Sequence, residues 1–148
     1  MACVARVVAI ESPERMADAH AIRRRVFIEE QHVPEELELD EDDQHALHAL
    51  ALMDGRAVGC GRFVAHGGVE VKIGRMAVLA ELRGTGIGQA ILEFLMNEAR
   101  RRGFSRAVLH AQLAAEGFYL KQGFLPVGPV FEEAGIPHRK MERPLQAI

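Results

Sequence analysis

The sequence has no tryptophan and one tyrosine, Tyr119, and only 5% of its 148 residues are aromatic. Chemistry that needs a phenol therefore has a single candidate. Long apolar runs are also missing: none approaches the roughly 20 residues of a bilayer-spanning helix. The opening Met1-Ala-Cys-Val-Ala-Arg has neither the basic head nor the apolar stretch of a secretory leader. A cytoplasmic protein without a membrane partner is expected. Cysteine is scarce, with Cys3 and Cys60 alone and no CxxC. That excludes a disulfide framework, and both lie in apolar runs that suit buried free thiols. There is no basic excess either. The net charge is −3 and the isoelectric point about 6.2, the wrong balance for a general nucleic-acid binder. What is present is an ordinary globular composition, 49% apolar and 26% charged. It is long enough for one domain over residues 1–148 with a real core.

Val4 to Ile10 reads as a first strand. Ser12-Pro13-Glu14 marks a helix start: a cap, a first-turn proline, and an acid at the positive end of the dipole. Met16, Ala19, Ile22, Val26 and Phe27 recur at helical spacing, which carries the helix to about Gln31 before Pro34 stops it. Glu35 to Asp43 hold seven acids: Glu35, Glu36, Glu38, Asp40, Glu41, Asp42 and Asp43. They lack the sixth-position glycine and closing glutamate of a calcium loop. A solvated acidic loop is the plain expectation, and a rim that attracts a cationic substrate is the functional one. His45 to Met53 and Arg56 to Ala65 flank Asp54-Gly55, a hairpin signal. Gly59 and Gly61 mark a bulge or a close backbone approach. A third strand, Val69 to Leu79, follows Gly67-Gly68.

The next helix carries Ile87, Ala90, Ile91, Phe94, Leu95 and Ala99 on one face, and closes at Arg100-Arg101-Arg102 and Gly103. Ala107 to Ala111 reads as a short buried strand and Ala114 to Gln122 as a short helix. Gly123-Phe124 opens a strand, Val130 to Ile136 reads as a loop or turn, and His138 to Arg143 as a last strand. The order β-α-β-β-β-α-β-α-β-β predicts an α/β (α+β) fold: a mixed, mostly antiparallel central sheet flanked by helices.

Between the third strand and its helix stands Arg83-Gly84-Thr85-Gly86-Ile87-Gly88. A strand, a glycine-rich loop and a helix N-terminus expose backbone N–H groups that attract a phosphate. A Walker A loop would end in lysine and a hydroxyl residue, and this one does not. A dinucleotide fingerprint follows the first strand of a βαβ unit with Gly-x-Gly-x-x-Gly. Here the glycines alternate and antiparallel strands precede them, which disfavours an NAD or FAD oxidoreductase.

The loop resembles the Gln/Arg-x-x-Gly-x-Gly/Ala pattern of the GCN5-related N-acetyltransferases (GNAT), with Arg83, Gly86 and Gly88 matching in order. Met76-Ala77-Val78 looks like that family's strand before the loop. Gly117-Phe118-Tyr119-Leu-Lys-Gln-Gly-Phe124 resembles its Phe-Tyr-x-x-x-Gly-Phe signature. The resemblance covers residues 4 to 143. Arg25-Val-Phe-Ile-Glu-Glu-Gln31, Glu38-Leu-Asp-Glu-Asp42, His45 and Gly135-Ile-Pro-His138 are similar to the small bacterial ElaA- and YjcF-like acetyltransferases.

The resemblance implies acetyl-CoA as cosubstrate and no metal; His45 and His48 also lack further ligands at a sensible spacing. The pyrophosphate would lie on the backbone N–H groups of Arg83, Gly84, Thr85, Gly86, Ile87, Gly88 and Gln89. A side chain at Gly86 or Gly88 would push it away. Arg83 would either pair with a phosphate or cap the loop. The pantetheine arm would pair with Met76, Ala77 and Val78, provided Ala107 to Ala111 splays aside. Gln112 stands where the family often places an asparagine that binds the arm. Tyr119 would sit near the thioester sulfur as general acid. A thiol at about 8.5 and a tyrosine at about 10 make full proton transfer uphill by about two kcal/mol, so hydrogen-bond donation to developing charge is the expected role. Members of the family use a glutamate base on the strand before the loop. The nearest match here is Lys72, and Glu70, two residues earlier on the same face, is the candidate base; Glu29, Glu30 and His110 are others. The acceptor would be a primary amine of a small molecule or peptide, cationic if the acidic run lines its path, attacking directly in a ternary complex. Homodimers are common in the superfamily. The alternative is a non-catalytic acyl-CoA-binding sensor or regulatory module.

Overall fold

The computed structural model describes residues 5–146, so Cys3 and Val4 lie outside the described residues. β1 (Arg6–Ala9) leads into α1 (Pro13–Arg23). Ser12 caps α1, its Oγ accepting the Arg15 N–H at 3.2 Å. Helical winding continues toward Gln31, as the periodicity predicts, but not as one α-helix. Residues Arg24–Glu30 widen into a π-helix, a form frequent at functional sites. The single turn α2 (Glu35–Glu38) follows Pro34.

β2 (Leu47–Met53), β3 (Arg56–Ala65) and β4 (Glu70–Val78) form the antiparallel meander. Asp54 and Gly55 both take positive φ, 52° and 78°, the backbone of a two-residue turn whose twist suits paired strands. The close approach marked by Gly59 and Gly61 is real. A Cβ on Gly59 would stand 2.8 Å from Ile91 Cδ1, and one on Gly61 2.7 Å from Met76 Sδ. α3 (Ile87–Arg101) thus lies directly on the β3 backbone. Cys60, between them, turns to the other face beneath Ala19 of α1. Burial pushes its thiol up to about 12, as suits an inert core cysteine. The two long helices therefore cover opposite faces of the sheet. None of the described helices is long and apolar enough to cross a membrane.

β5 (Arg106–Gln112), α4 (Glu116–Lys121), β6 (Leu125–Glu133) and β7 (Ile136–Pro144) complete one mixed, mostly antiparallel sheet in the order β1-β2-β3-β4-β5-β7-β6. The last hairpin departs from the sequence expectation. Val130 to Glu133 belong to β6, and only Ala134 and Gly135, both at positive φ, make the turn. Register slips between Val127 and Phe131. Pro129 has no N–H for a ladder, so the irregularity absorbs it and pairing resumes beyond. The result sets Phe131 opposite His138 and Glu133 opposite Ile136.

Two irregularities in the central strands create the site. First, Arg75 and Met76 together oppose Gly61, and Arg75 carries φ 52°. This is a bulge held in a left-handed conformation that non-glycine residues seldom adopt. Second, β4 and the parallel β5 pair only from Glu70↔Arg106 to Ile73↔Leu109, and then part.

Candidate active site

A cavity of about 490 Å³ opens where β4 and β5 part. Met76, Ala77 and Val78 form its β4 wall, and His110 and Gln112 its β5 wall. Phe27 and Gln31 from the π-helical turn close one side, and Tyr119 of α4 another. β3 pairs with one edge of β4. The other edge, from Gly74 to Val78, has no strand beside it among the described residues. Apart from the Val78 carbonyl, which accepts from Arg83 Nε, its outward backbone groups are available to an extended ligand that adds like a strand. Gln112 faces this space and donates from Nε2 to Gln31 Oε1 at 2.9 Å, tying β5 to the π-helical turn.

The glycine loop ends at α3. Gly84 and Gly86 take φ 81° and 91°. Gly86 is the N-cap, and no side chain caps the helix. Thr85 instead donates its hydroxyl to Leu82 O at 2.6 Å. The first N–H groups of α3 have no preceding turn to bond, which leaves them to an anion. A Cβ at Gly84 or Gly86 would meet nothing within 4 Å, whereas one at Gly88 would stand 3.6 Å from Phe118. Gly88 thus turns its Cβ position toward α4, and the crowding expected of a side chain there falls on Phe118. Arg83 caps: Nε donates to Val78 O at 2.9 Å, and Nη2 pairs with Glu30 at 2.9 Å.

Tyr119 is 8% exposed and packs edge-on against Phe118 and Phe124. Burial pushes its phenol up to about 12. Against a thiol near 8.5, full proton transfer then costs roughly 5 kcal/mol, not two. The Tyr119 phenol therefore stays protonated at neutral pH.

Glu70 is not brought to the cavity. It sits at the closed end of the β4–β5 pair, opposite Arg106. Its carboxylate is hydrogen-bonded to His66 Nδ1 at 2.7 Å and to Arg106 at 3.4 Å. The His66 hydrogen bond holds its pKa below the usual carboxylate value, which makes it a weaker base. Parity places Glu70 on the right face, but His66, across the Gly67-Gly68 turn, and Arg106 of β5 occupy its carboxylate. Glu29 is exposed on the π-helix beside Arg24, and Glu30 is engaged by Arg83. Of the four candidate bases only His110 lines the cavity. Glu133 and His138, which the sequence reading did not single out as site residues, line it too.

The acidic run is only in part a solvated loop: Glu35, Glu36, Glu41 and Asp42 are exposed, but Glu38, Asp40 and Asp43 are tied to arginines. Glu38 is 3% exposed and pairs with Arg23, itself 2% exposed. Arg23 also binds Asp43 through two nitrogens, at 2.8 and 3.0 Å. Arg62 spans Asp40 and Asp43 at 2.7 and 2.6 Å. Arg75, at the bulge, donates to the Glu38 and Leu37 carbonyls and to Asp40. Three arginines thus meet three acids, so the run clamps the bulge in place. Burial opposes the Asp43 charge, yet the hydrogen bonds and charges of Arg23 and Arg62 outweigh it and hold the carboxyl at about 2. An unfolded aspartate titrates near 3.9, so this stabilisation is complete above about pH 4 and lost as the pH falls through 2. Urea unfolding between pH 5 and pH 2 should show a loss of about 2 kcal/mol from this group, and Asp43→Asn should flatten that part of the profile.

Residues 9–145 match the family model of the acetyltransferase (GNAT) domain. The uncharacterized N-acetyltransferase YjcF of Bacillus subtilis is 35% identical over 137 residues, covering 92% of this chain and 97% of YjcF. The crystal structure of Escherichia coli ElaA superposes with a TM-score of 0.85 at 28% identity, covering 95% of this chain and 99% of ElaA. An aminoglycoside 6'-N-acetyltransferase complexed with coenzyme A shares the fold, with a TM-score of 0.78 at 16% identity over 97% of this chain and 98% of that one.

Proposed function

The chain belongs to the GNAT acetyltransferase family, and from that premise we propose that it moves the acetyl group of acetyl-CoA onto a primary amine of a small molecule or peptide, by direct attack in a ternary complex. The observation that carries the reading is the unpaired β4 edge, Gly74 to Val78, which lines one cavity with Tyr119 and with Arg83 of the loop that leads to the uncapped N-terminus of α3. The loop N–H groups from Arg83 to Gln89 receive the pyrophosphate. The β4 edge holds the pantetheine arm and Gln112 reaches it from β5. Tyr119 donates a hydrogen bond to the sulfur as negative charge develops there. Buried Cys60 takes no part, and no covalent enzyme intermediate is needed. The acidic run gives little support to a cationic acceptor, because Glu38, Asp40 and Asp43 are matched by Arg23, Arg62 and Arg75.

The test is release of free thiol when the protein is mixed with acetyl-CoA and a panel of amines, with the acetylated product weighed by mass spectrometry. Amine-dependent thiol release supports the reading. Acetyl-CoA binding without thiol release from any amine overturns it. The loop makes a paired prediction. Alanine at Gly86 would be forced into a left-handed backbone at a cost of about 1–2 kcal/mol. Gly86→Ala should therefore weaken acetyl-CoA binding about tenfold by calorimetry, whereas Gly88→Ala, whose Cβ makes ordinary contact with Phe118, should stay within about twofold.

A further inference from the structure

We propose that His110, held by Glu133, is the base that takes the proton of the acceptor amine; this rests on the transfer reading above. The position comes first. The last β4–β5 pair is Ile73↔Leu109, so His110 is the first β5 residue beyond the split. Gly74 is its counterpart on β4, and a Cβ added there would meet nothing within 4 Å. The apex of the cleft is therefore roomy on the β4 side and carries an imidazole on the β5 side.

The other groups of the wall fail as proton acceptors. Glu38 and Asp40 are held by Arg23, Arg62 and Arg75. Asp42 is exposed on the turn Glu41–Gln44. Lys72, Arg62, Arg75 and Arg83 are cations. His138 is buried, with its Nδ1 donating to Ile136 O at 2.6 Å and its Nε2 turned toward Glu133, 3.8 Å from Oε2, so no free nitrogen faces an acceptor.

His110 is the more open of the two, with 28% of its side chain exposed. Its Nδ1 lies 2.9 Å from Glu133 Oε1. A carboxylate accepts, so Nδ1 carries the hydrogen and Nε2 keeps its lone pair. The Phe131 ring meets the imidazole edge-on at 5.0 Å and fixes its plane. A carboxylate that sets tautomer and orientation is the arrangement by which a histidine becomes an efficient base. The charged and titratable neighbours are Lys72 on β4, Glu133 on β6, and His138 and the cross-strand partner Lys140 on β7.

The step balances as follows. The acceptor enters as an ammonium and gives one proton to His110 Nε2. The neutral nitrogen then forms the C–N bond to the thioester carbonyl, and the C–S bond breaks. The second nitrogen proton leaves with the thiolate as free thiol, and His110 returns its proton to solvent. One ammonium and one thioester yield an amide, a thiol and one proton. His110 is the catalytic residue, and Glu133 is a positioning residue.

The test uses acetyl-CoA with benzylamine, tyramine, spermidine, glycinamide and a lysyl peptide, the fastest being carried forward. His110→Ala should lower kcat/KM about a hundredfold with acetyl-CoA affinity within about twofold of the parent, and added imidazole should restore part of the loss. Glu133→Gln should lower kcat and move the acidic limb of the pH profile while leaving acceptor KM in place. Parent-like turnover by His110→Ala, or a loss that imidazole does not relieve, overturns the proposal and leaves the transfer reading standing. Absence of thiol release by the parent with every amine overturns the transfer reading, and the base falls with it.

Discussion

Tyr119→Phe is expected to lower kcat by two to three orders of magnitude, the cost of removing one donor aimed at developing negative charge. The change is small in every other respect. The ring keeps its edge contacts with Phe118 and Phe124, and only the hydroxyl is lost, so stability and acetyl-CoA affinity should stay near those of the parent. The raised pKa of about 12 separates two roles for the hydroxyl. If Tyr119 gave up its proton in the transition state, the reaction would have to climb roughly 5 kcal/mol toward a thiolate of ordinary basicity. Hydrogen-bond donation needs no such climb. It also predicts a flat alkaline profile, because the phenol remains protonated to about pH 12. An alkaline limb below pH 10 that vanishes in Tyr119→Phe, or a kcat that does not fall, would sink the assignment. Thiol release under saturating acetyl-CoA and acceptor is the measurement.

Much of this site was legible because its signals are local. Asp54-Gly55 needs positive φ at both positions, and only a few residue pairs accept that. Gly59 and Gly61 were readable as close approach, since nothing larger fits under Ile91 and Met76. The loop Arg83 to Gly88 and the order of elements around it carry their meaning within a short stretch. Most of the misreadings have the opposite property. The π-helix at Arg24–Glu30 keeps nearly the apolar spacing of an α-helix, and its altered hydrogen bonds leave no mark in composition. Glu133 is hidden because Val130 to Ile136 reads as a loop or turn, and only the partner strand reveals that pairing resumes at Phe131. Glu70 lies on the face that parity gives; the weaker of its two contacts, with Arg106, joins residues 36 apart, while the stronger, with His66, spans only four. The buried part of the acidic run has no local signal, since its three arginines lie in α1, β3 and β4. One local clue existed: Arg23 shares its helical face with Ala19 and Val26, both buried, and an arginine there needs a buried anion.

That buried anion gives the largest stability effect. Arg23→Ala should destabilise the protein by about 3–5 kcal/mol, a large share of the roughly 5–15 kcal/mol that holds a domain folded. The loss is more than a missing attraction. Glu38 would remain at 3% exposure with its nearest cation, Arg75 Nε, 3.8 Å away, and an undercompensated buried carboxylate is costly. Asp43 would keep Arg62, so most of the penalty belongs to Glu38. The double variant Arg23→Met/Glu38→Leu removes both charges at similar volume, and should therefore recover most of the loss. Urea unfolding at pH 7 measures both. A double variant no more stable than Arg23→Ala would show that packing of the arginine stem, not charge, is what Arg23 provides. The same substitution reaches the active site by a definite route. Arg75 holds φ 52° while its guanidinium grips the Glu38 and Leu37 carbonyls. If Glu38 moves to find water, that grip loosens and the bulge can relax out of its strained backbone. Met76 to Val78 would then no longer present one straight edge to the cosubstrate. Arg23→Ala should accordingly weaken acetyl-CoA binding at temperatures where it is still folded, and the double variant should restore binding along with stability.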